Sequence, residues 1–142
     1  MRLIDWQSRF TALIKARQRD RFEWGRNDCC LFVTDAVLAI TGKDIVPESF
    51  KGTYSTMLDG FRIIKEYSGG GVEAIAEKLT ADNGFVEIQP SFAQRGDVGL
   101  YRDPKHGDVL GVSIGARFAF LSQTAGLHYR EQREIVRAWS IS

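Results

Sequence analysis

Thiols and imidazoles are scarce in this 142-residue chain, and each scarcity closes off a class of function. The two cysteines, Cys29 and Cys30, are adjacent, which suits neither a disulfide framework nor a zinc site. The two histidines, His106 and His128, lie far apart in sequence, so a metal centre has little to build on and neither metal nor cofactor is expected. No run approaches transmembrane length. Met1-Arg2-Leu3-Ile4-Asp5-Trp6 also lacks the apolar core and small-residue cleavage site of a signal peptide, so synthesis in the cytoplasm without a membrane span is expected. Excess charge of one sign is missing too. Nineteen basic residues against 18 acidic ones give a net charge of +1, which makes no electrostatic case for nucleic acid. The basic cluster from Lys15 to Arg21 fits a solvated helix face.

What is present describes one ordinary domain. Hydrophobic residues at 44% and charged residues at 26% disfavour disorder, and 142 residues can bury about two-thirds of the unfolded surface in a single core spanning 1–142. There is no internal repeat and no low-complexity segment. From Asp5 to Arg19, Trp6, Phe10, Leu13 and Ile14 recur at helical spacing. A second helix is predicted from Cys29 to about Thr41, with Gly42 as its stop and Phe32, Val33, Ala36, Val37 and Ile40 as a wide apolar stripe. Ser55 or Thr56 can cap a third helix carrying Met57, Phe61, Ile64 and Tyr67, which ends at Gly69-Gly70-Gly71. That triplet lacks a phosphate-loop pattern and no strand precedes it, so it serves as a connector. A short fourth helix, Val72 to Leu79, closes at Asn83-Gly84.

The texture then changes to short runs rich in Val, Ile and aromatics. These are Phe85 to Ile88, Val98 to Tyr101, Val109 to Ile114, Phe118 to Leu121 and Ile135 to Ile141, separated by turn pairs. Helices first and strands afterwards predict an α+β fold, with N-terminal helices on a mostly antiparallel sheet of about five strands. Phe118, Phe120 and Leu121 are assigned to core, and would serve docking only if exposed.

Chemistry concentrates in Trp24-Gly25-Arg26-Asn27-Asp28-Cys29-Cys30-Leu31-Phe32. Asp28 is a good N-cap whose carboxylate can accept the amide of Leu31, while Gly25 and Asn27 make the preceding turn. Cys29 then takes the first helical position, where the helix dipole and unpaired amides favour a thiolate. Cys30 points about 100° further round the helix and is assigned to core.

The order of these parts resembles the NlpC-type cell-wall peptidases of the papain-like superfamily. Asp28-Cys29-Cys30-Leu31-Phe32 is similar to that family's Asp-Cys-Ser-Gly-Leu/Phe nucleophile pattern, departing at Ser-Gly. Gly96-Asp97-Val98 matches its first core strand, and Val109-Leu110-Gly111-Val112-Ser113-Ile114-Gly115 looks like its His-Val-Gly-Ile-Tyr-Leu-Gly with Val109 at the position of the base histidine. Phe22-Glu23-Trp24-Gly25, Gly42-Lys43-Asp44, Gly52-Thr53-Tyr54 and Ala138-Trp139 together look like a small family of phage tail-associated domains that share the papain-like layout.

The resemblance implies Cys29 as nucleophile, with Asp28 before it and amides at the helix start as an oxyanion hole. A thiolate attacking an amide needs an imidazole to hold the ion pair and protonate the leaving amine. His106 is the local candidate. In a continuous strand it would lie about 10 Å from Val109 and face the opposite side, so a bulge or turn at Gly107-Asp108 would have to move it. The competing assignment is an exposed turn histidine. His128 is a weaker alternative on or beside a late strand, and Ser122 or Gln123 could orient an imidazole. Three functions follow. The first is a degenerate, structural component of a phage tail tip, made in the host cytoplasm, that docks on other tail proteins of the hub or tip in the virion. The second is an active cysteine hydrolase cleaving cell-wall (peptidoglycan) peptides during phage entry. The third is an unrelated cytoplasmic thiol enzyme.

Overall fold

A helix apolar on nearly every side forms the centre of the molecule: α2 (Cys29–Thr41) buries Cys30, Leu31, Phe32, Val33, Ala36, Val37 and Ile40. Both of its ends are fixed locally. The Asp28 carboxylate accepts the Leu31 amide at 3.0 Å, and Gly42 takes the left-handed conformation while its N–H returns to the Leu38 carbonyl. The computed structural model describes residues 1–50, 52–122 and 126–142. Against α2 packs α1 (Trp6–Arg17), which contributes Phe10 and Ile14 to the core. Then come α3 (Met57–Ser68), capped by Thr56, and α4 (Val72–Asp82).

The strands among the described residues are β1 (Val86–Ile88), β2 (Val98–Asp103), β3 (Gly107–Ser113), β4 (Arg117–Leu121), β5 (Leu127–Glu131) and β6 (Arg137–Ser140). They form one antiparallel sheet in the order β1-β6-β2-β3-β4-β5, so the α+β class holds with six strands in place of about five. The additional strand is β5, whose Leu-His-Tyr-Arg-Glu has few apolar residues because it is an edge strand.

Period-two alternation divides the sheet into two faces. Leu110 and Val112 of β3, with Ala119 and Leu121 of β4, meet the helices, whereas Phe118 and Phe120 join Ala93, Ile135 and Ala138 on the other side. Phe118, Phe120 and Leu121 are all buried, so they form core and not a docking face. Two short 3₁₀ turns, Pro90–Phe92 and Gln132–Glu134, lie near one another beside the second face, and the Gln132 side-chain Nε2 donates to the Pro90 carbonyl at 2.7 Å. Room for the two phenyl rings comes from Gly99 and Gly111, which are paired in register. A Cβ on Gly111 would stand 2.3 Å from the Ala119 carbonyl oxygen and 2.6 Å from the Phe120 ring.

The turn ahead of β2 ties the chain ends to the core. Buried Asp97 accepts the amides of Gln94 and Ile141 and pairs with Arg2, whose guanidinium also donates to the Arg95 and Ile141 carbonyls. A second ionic cluster binds α4 to the sheet. Arg137 of β6 holds Glu73, Glu77 and Glu87, while Arg102 of β2 holds Glu73 and Asp108.

Candidate functional site

The turn that presents Cys29 is locked from behind by Asp28. This carboxylate is 2% exposed and accepts the amides of Gly25 and Leu31, both at 3.0 Å, as well as the Tyr54 hydroxyl. Gly25 is required where it stands: its φ is +84°, and a Cβ there would lie 2.0 Å from the Tyr54 carbonyl oxygen. The Gly52 amide donates to the Gly25 carbonyl, so the segment around Tyr54 and the cysteine turn are joined twice. Burial, reinforced by the hydrogen bond to Asp28, holds the Tyr54 hydroxyl protonated far above the usual phenol range. Asp28 therefore acts as cap and anchor, its oxygens committed to the turn and to Tyr54.

The two thiols differ as their helical positions dictate. Cys30 is buried, and its contact with Cys29, its burial and the nearby charge of Asp28 push its thiol well above the ordinary value. Cys29 is a free, half-buried thiol at the first turn of α2 and opens into a cleft of about 340 Å³.

On the helix side the cleft wall is aromatic. Phe22 and Trp24 stack edge to face with centroids 4.6 Å apart, Trp24 meets Phe61 of α3 at 5.9 Å, and Val72 of α4 completes the wall. On the sheet side stand Tyr101, Val109, Phe120, Leu121 and Ser122. Leu121 and Phe120 face opposite sides of β4 yet both line the cleft, so it wraps around the ends of the central strands.

The rim carries the polar groups: Asp103, His106, Asp108, His128 and Arg130. His106 sits in the β2–β3 turn, one residue before β3 begins at Gly107, and is exposed. The turn is set by Asp103, whose Oδ1 accepts the amides of Lys105 at 2.7 Å and His106 at 3.1 Å. These donors keep the Asp103 carboxyl below the usual range. His128 is exposed on β5, paired across to Phe120. Thus Cys29, His106, His128 and Ser122 share one cleft. Among the described residues neither imidazole is hydrogen-bonded to the Cys29 sulfur, and Val109 occupies the β3 position that lines the cleft opposite Tyr101. Gln123 lies outside the described residues.

Three contributors were not identified from the sequence. Tyr54 is 26 residues from the Asp28 it binds, Arg130 reaches the cleft from a strand that was not recognised, and Phe61 joins the wall from α3. Tyr54 left a trace in the Gly52-Thr53-Tyr54 element, and Phe61 one in the apolar spacing of the third helix. Among the described residues no group of three or more His, Cys, Asp or Glu side chains is placed to hold a metal ion, and no helix is long and apolar enough to cross a membrane.

The sequence pattern of a family described as a domain of unknown function, DUF6950, matches residues 1–141, so the chain belongs to that family. No curated protein matches it.

Proposed function

We propose that this DUF6950 protein is a component of a phage tail, built on an NlpC-type papain-like layout, in which the cysteine cleft is retained for docking on neighbouring tail proteins and not for peptide cleavage. The observation that carries this reading is Val109. It stands in the Cys29 cleft on the strand where a peptidase of that layout would carry its base, and no imidazole is bonded to the thiol among the described residues. Without such a base the thiol has no partner to generate the nucleophile or to protonate a leaving amine. Docking is supported by exposed apolar side chains next to the cleft wall: Met57 and Leu58 on α3 are 51% and 78% exposed, and Phe61 continues from them into the cleft.

The purified chain, titrated against a tail-hub protein of the same phage, is expected to bind, and binding should weaken when Leu58 and Met57 are replaced by serine. Incubated with purified peptidoglycan, it is expected to release no soluble muropeptide. Absence of binding across the hub and tip proteins refutes the docking reading.

A second reading, an active cysteine hydrolase acting on cell-wall peptides, is favoured by one observation: both imidazoles of the chain line the cleft of Cys29. Muropeptide release that disappears in Cys29→Ala and in either His106→Ala or His128→Ala would establish it in place of the first.

A further inference from the structure

We propose that the outer half of the cleft binds a free α-amino-acid group, Arg130 taking its carboxylate and Asp103 its ammonium. The inference rests on the cleft alone and stands apart from the phage-tail reading. Arg130 extends from edge strand β5 across β4 and β3 to place its guanidinium carbon 4.8 Å from the centre of the Tyr101 ring on β2. A cation–π contact with that ring uses none of the guanidinium's N–H donors, so they stay available to a ligand. Among the described residues the guanidinium has no hydrogen-bond acceptor, and its single ion pair, to Asp103 Oδ2, is open at 4.0 Å.

Asp103 is prepared in a complementary way. Its Oδ1 is committed to the amides of Lys105 and His106, so Oδ2 is the oxygen left facing the guanidinium. The other carboxylate on the rim, Asp108, accepts from Arg102 Nη1 at both oxygens, at 3.0 and 2.9 Å, and does not compete. A donor fork and an acceptor oxygen standing slightly too far apart to bond match a ligand that carries an anion and a cation on one carbon. A partly exposed ion pair of this kind contributes little by itself, so a ligand that parts it loses little and gains two charge-assisted bonds. Trp24, Phe61 and Phe22 then offer an apolar wall for a side chain, and about 340 Å³ accommodates one of that size. A peptide bears its two terminal charges on different residues and cannot satisfy the pair in the same way.

Calorimetric titration of the full chain tests this with four probes: L-phenylalanine, N-acetyl-L-phenylalanine, L-phenylalaninamide and γ-glutamylglycine. L-Phenylalanine is expected to bind saturably, and either cap to weaken it about tenfold or more, since each removes one charge-assisted bond. γ-Glutamylglycine carries the same head on a longer side chain. Binding tighter than phenylalanine assigns the site to a side-chain-borne head, and weaker binding assigns it to a free amino acid. Arg130→Gln and Asp103→Asn should each lower affinity by about tenfold, whereas Arg133→Gln, an exposed arginine outside the cleft lining, leaves it unchanged. Asp103→Asn keeps a side-chain oxygen for the Lys105 and His106 amides, and a melting curve for each variant separates lost affinity from lost folding. The proposal is overturned if neither zwitterion binds saturably, if the capped forms bind as well as phenylalanine, or if Arg130→Gln has no effect. Hub binding is a separate titration, so failure of one assignment does not imply failure of the other.

Discussion

Replacing Asp28 by alanine removes one acceptor from three buried donors at once, and its cost can be worked from the contacts. Loss of the N-cap to Leu31 costs about 1 kcal/mol. The Gly25 amide and the Tyr54 hydroxyl are left without their partner in a buried environment, each costing about 1–3 kcal/mol before relaxation. The sum, allowing for partial solvation of the opened turn, is about 3–5 kcal/mol, a large part of the roughly 5–15 kcal/mol that stabilises a domain. For a chain of this size that corresponds to a fall of about 10–15 °C in melting temperature. Urea unfolding followed by tryptophan fluorescence, with the slope unchanged, measures it directly. Tyr54→Phe alone should cost about 1–2 kcal/mol, and in the double variant the two should be non-additive by about 1 kcal/mol because they share one hydrogen bond. A cost for Asp28→Ala below about 1 kcal/mol, or strict additivity with Tyr54→Phe, would refute the view that this carboxylate anchors the cysteine turn.

Iodoacetamide under native conditions should label Cys29 at least about tenfold faster than the buried Cys30, whose thiol is held protonated; equal rates by peptide mapping would contradict the assigned positions. Stability should fall on the alkaline side. Cys30 and Tyr54 both have folded-state values raised above their unfolded ones, so the unfolded chain releases protons first, from about pH 8.5 for the thiol and about pH 10 for the phenol. The stabilisation is complete below those values and lost above them, and Tyr54→Phe should remove the upper step; a melting temperature flat to about pH 11 would contradict this. Gly111→Ala should destabilise by about 2–3 kcal/mol, because the new Cβ meets a carbonyl oxygen and the Phe120 ring; a neutral result in chemical unfolding would mean that β3 and β4 are not in the described register.

How far the chain could be read without coordinates depended on the range of the interaction concerned. The bounds of α2 follow from Asp28 and Gly42, each acting within four residues, and the same holds for Thr56 and Gly69 around α3. The sheet was harder. β5 carries only Leu127 and Tyr129 as an apolar alternation, and what makes it a strand is its pairing with β4. The place of His106, by contrast, is a local matter: an Asx turn on Asp103, two and three residues away, sets where the strand begins.

By itself the sequence determined the α+β class, helices before strands, with a thiol at the start of a buried helix. Those features rest on periodicity and capping, which act over a few neighbouring residues. Only the tertiary structure decided that Tyr54 bonds Asp28, that Arg2 pairs with Asp97 across 95 positions, and that His128 and Arg130 reach the cleft of Cys29. Such meetings depend on strand register and on which ends of the sheet the helices cover, and a local pattern of residues does not specify which distant side chain completes a polar contact.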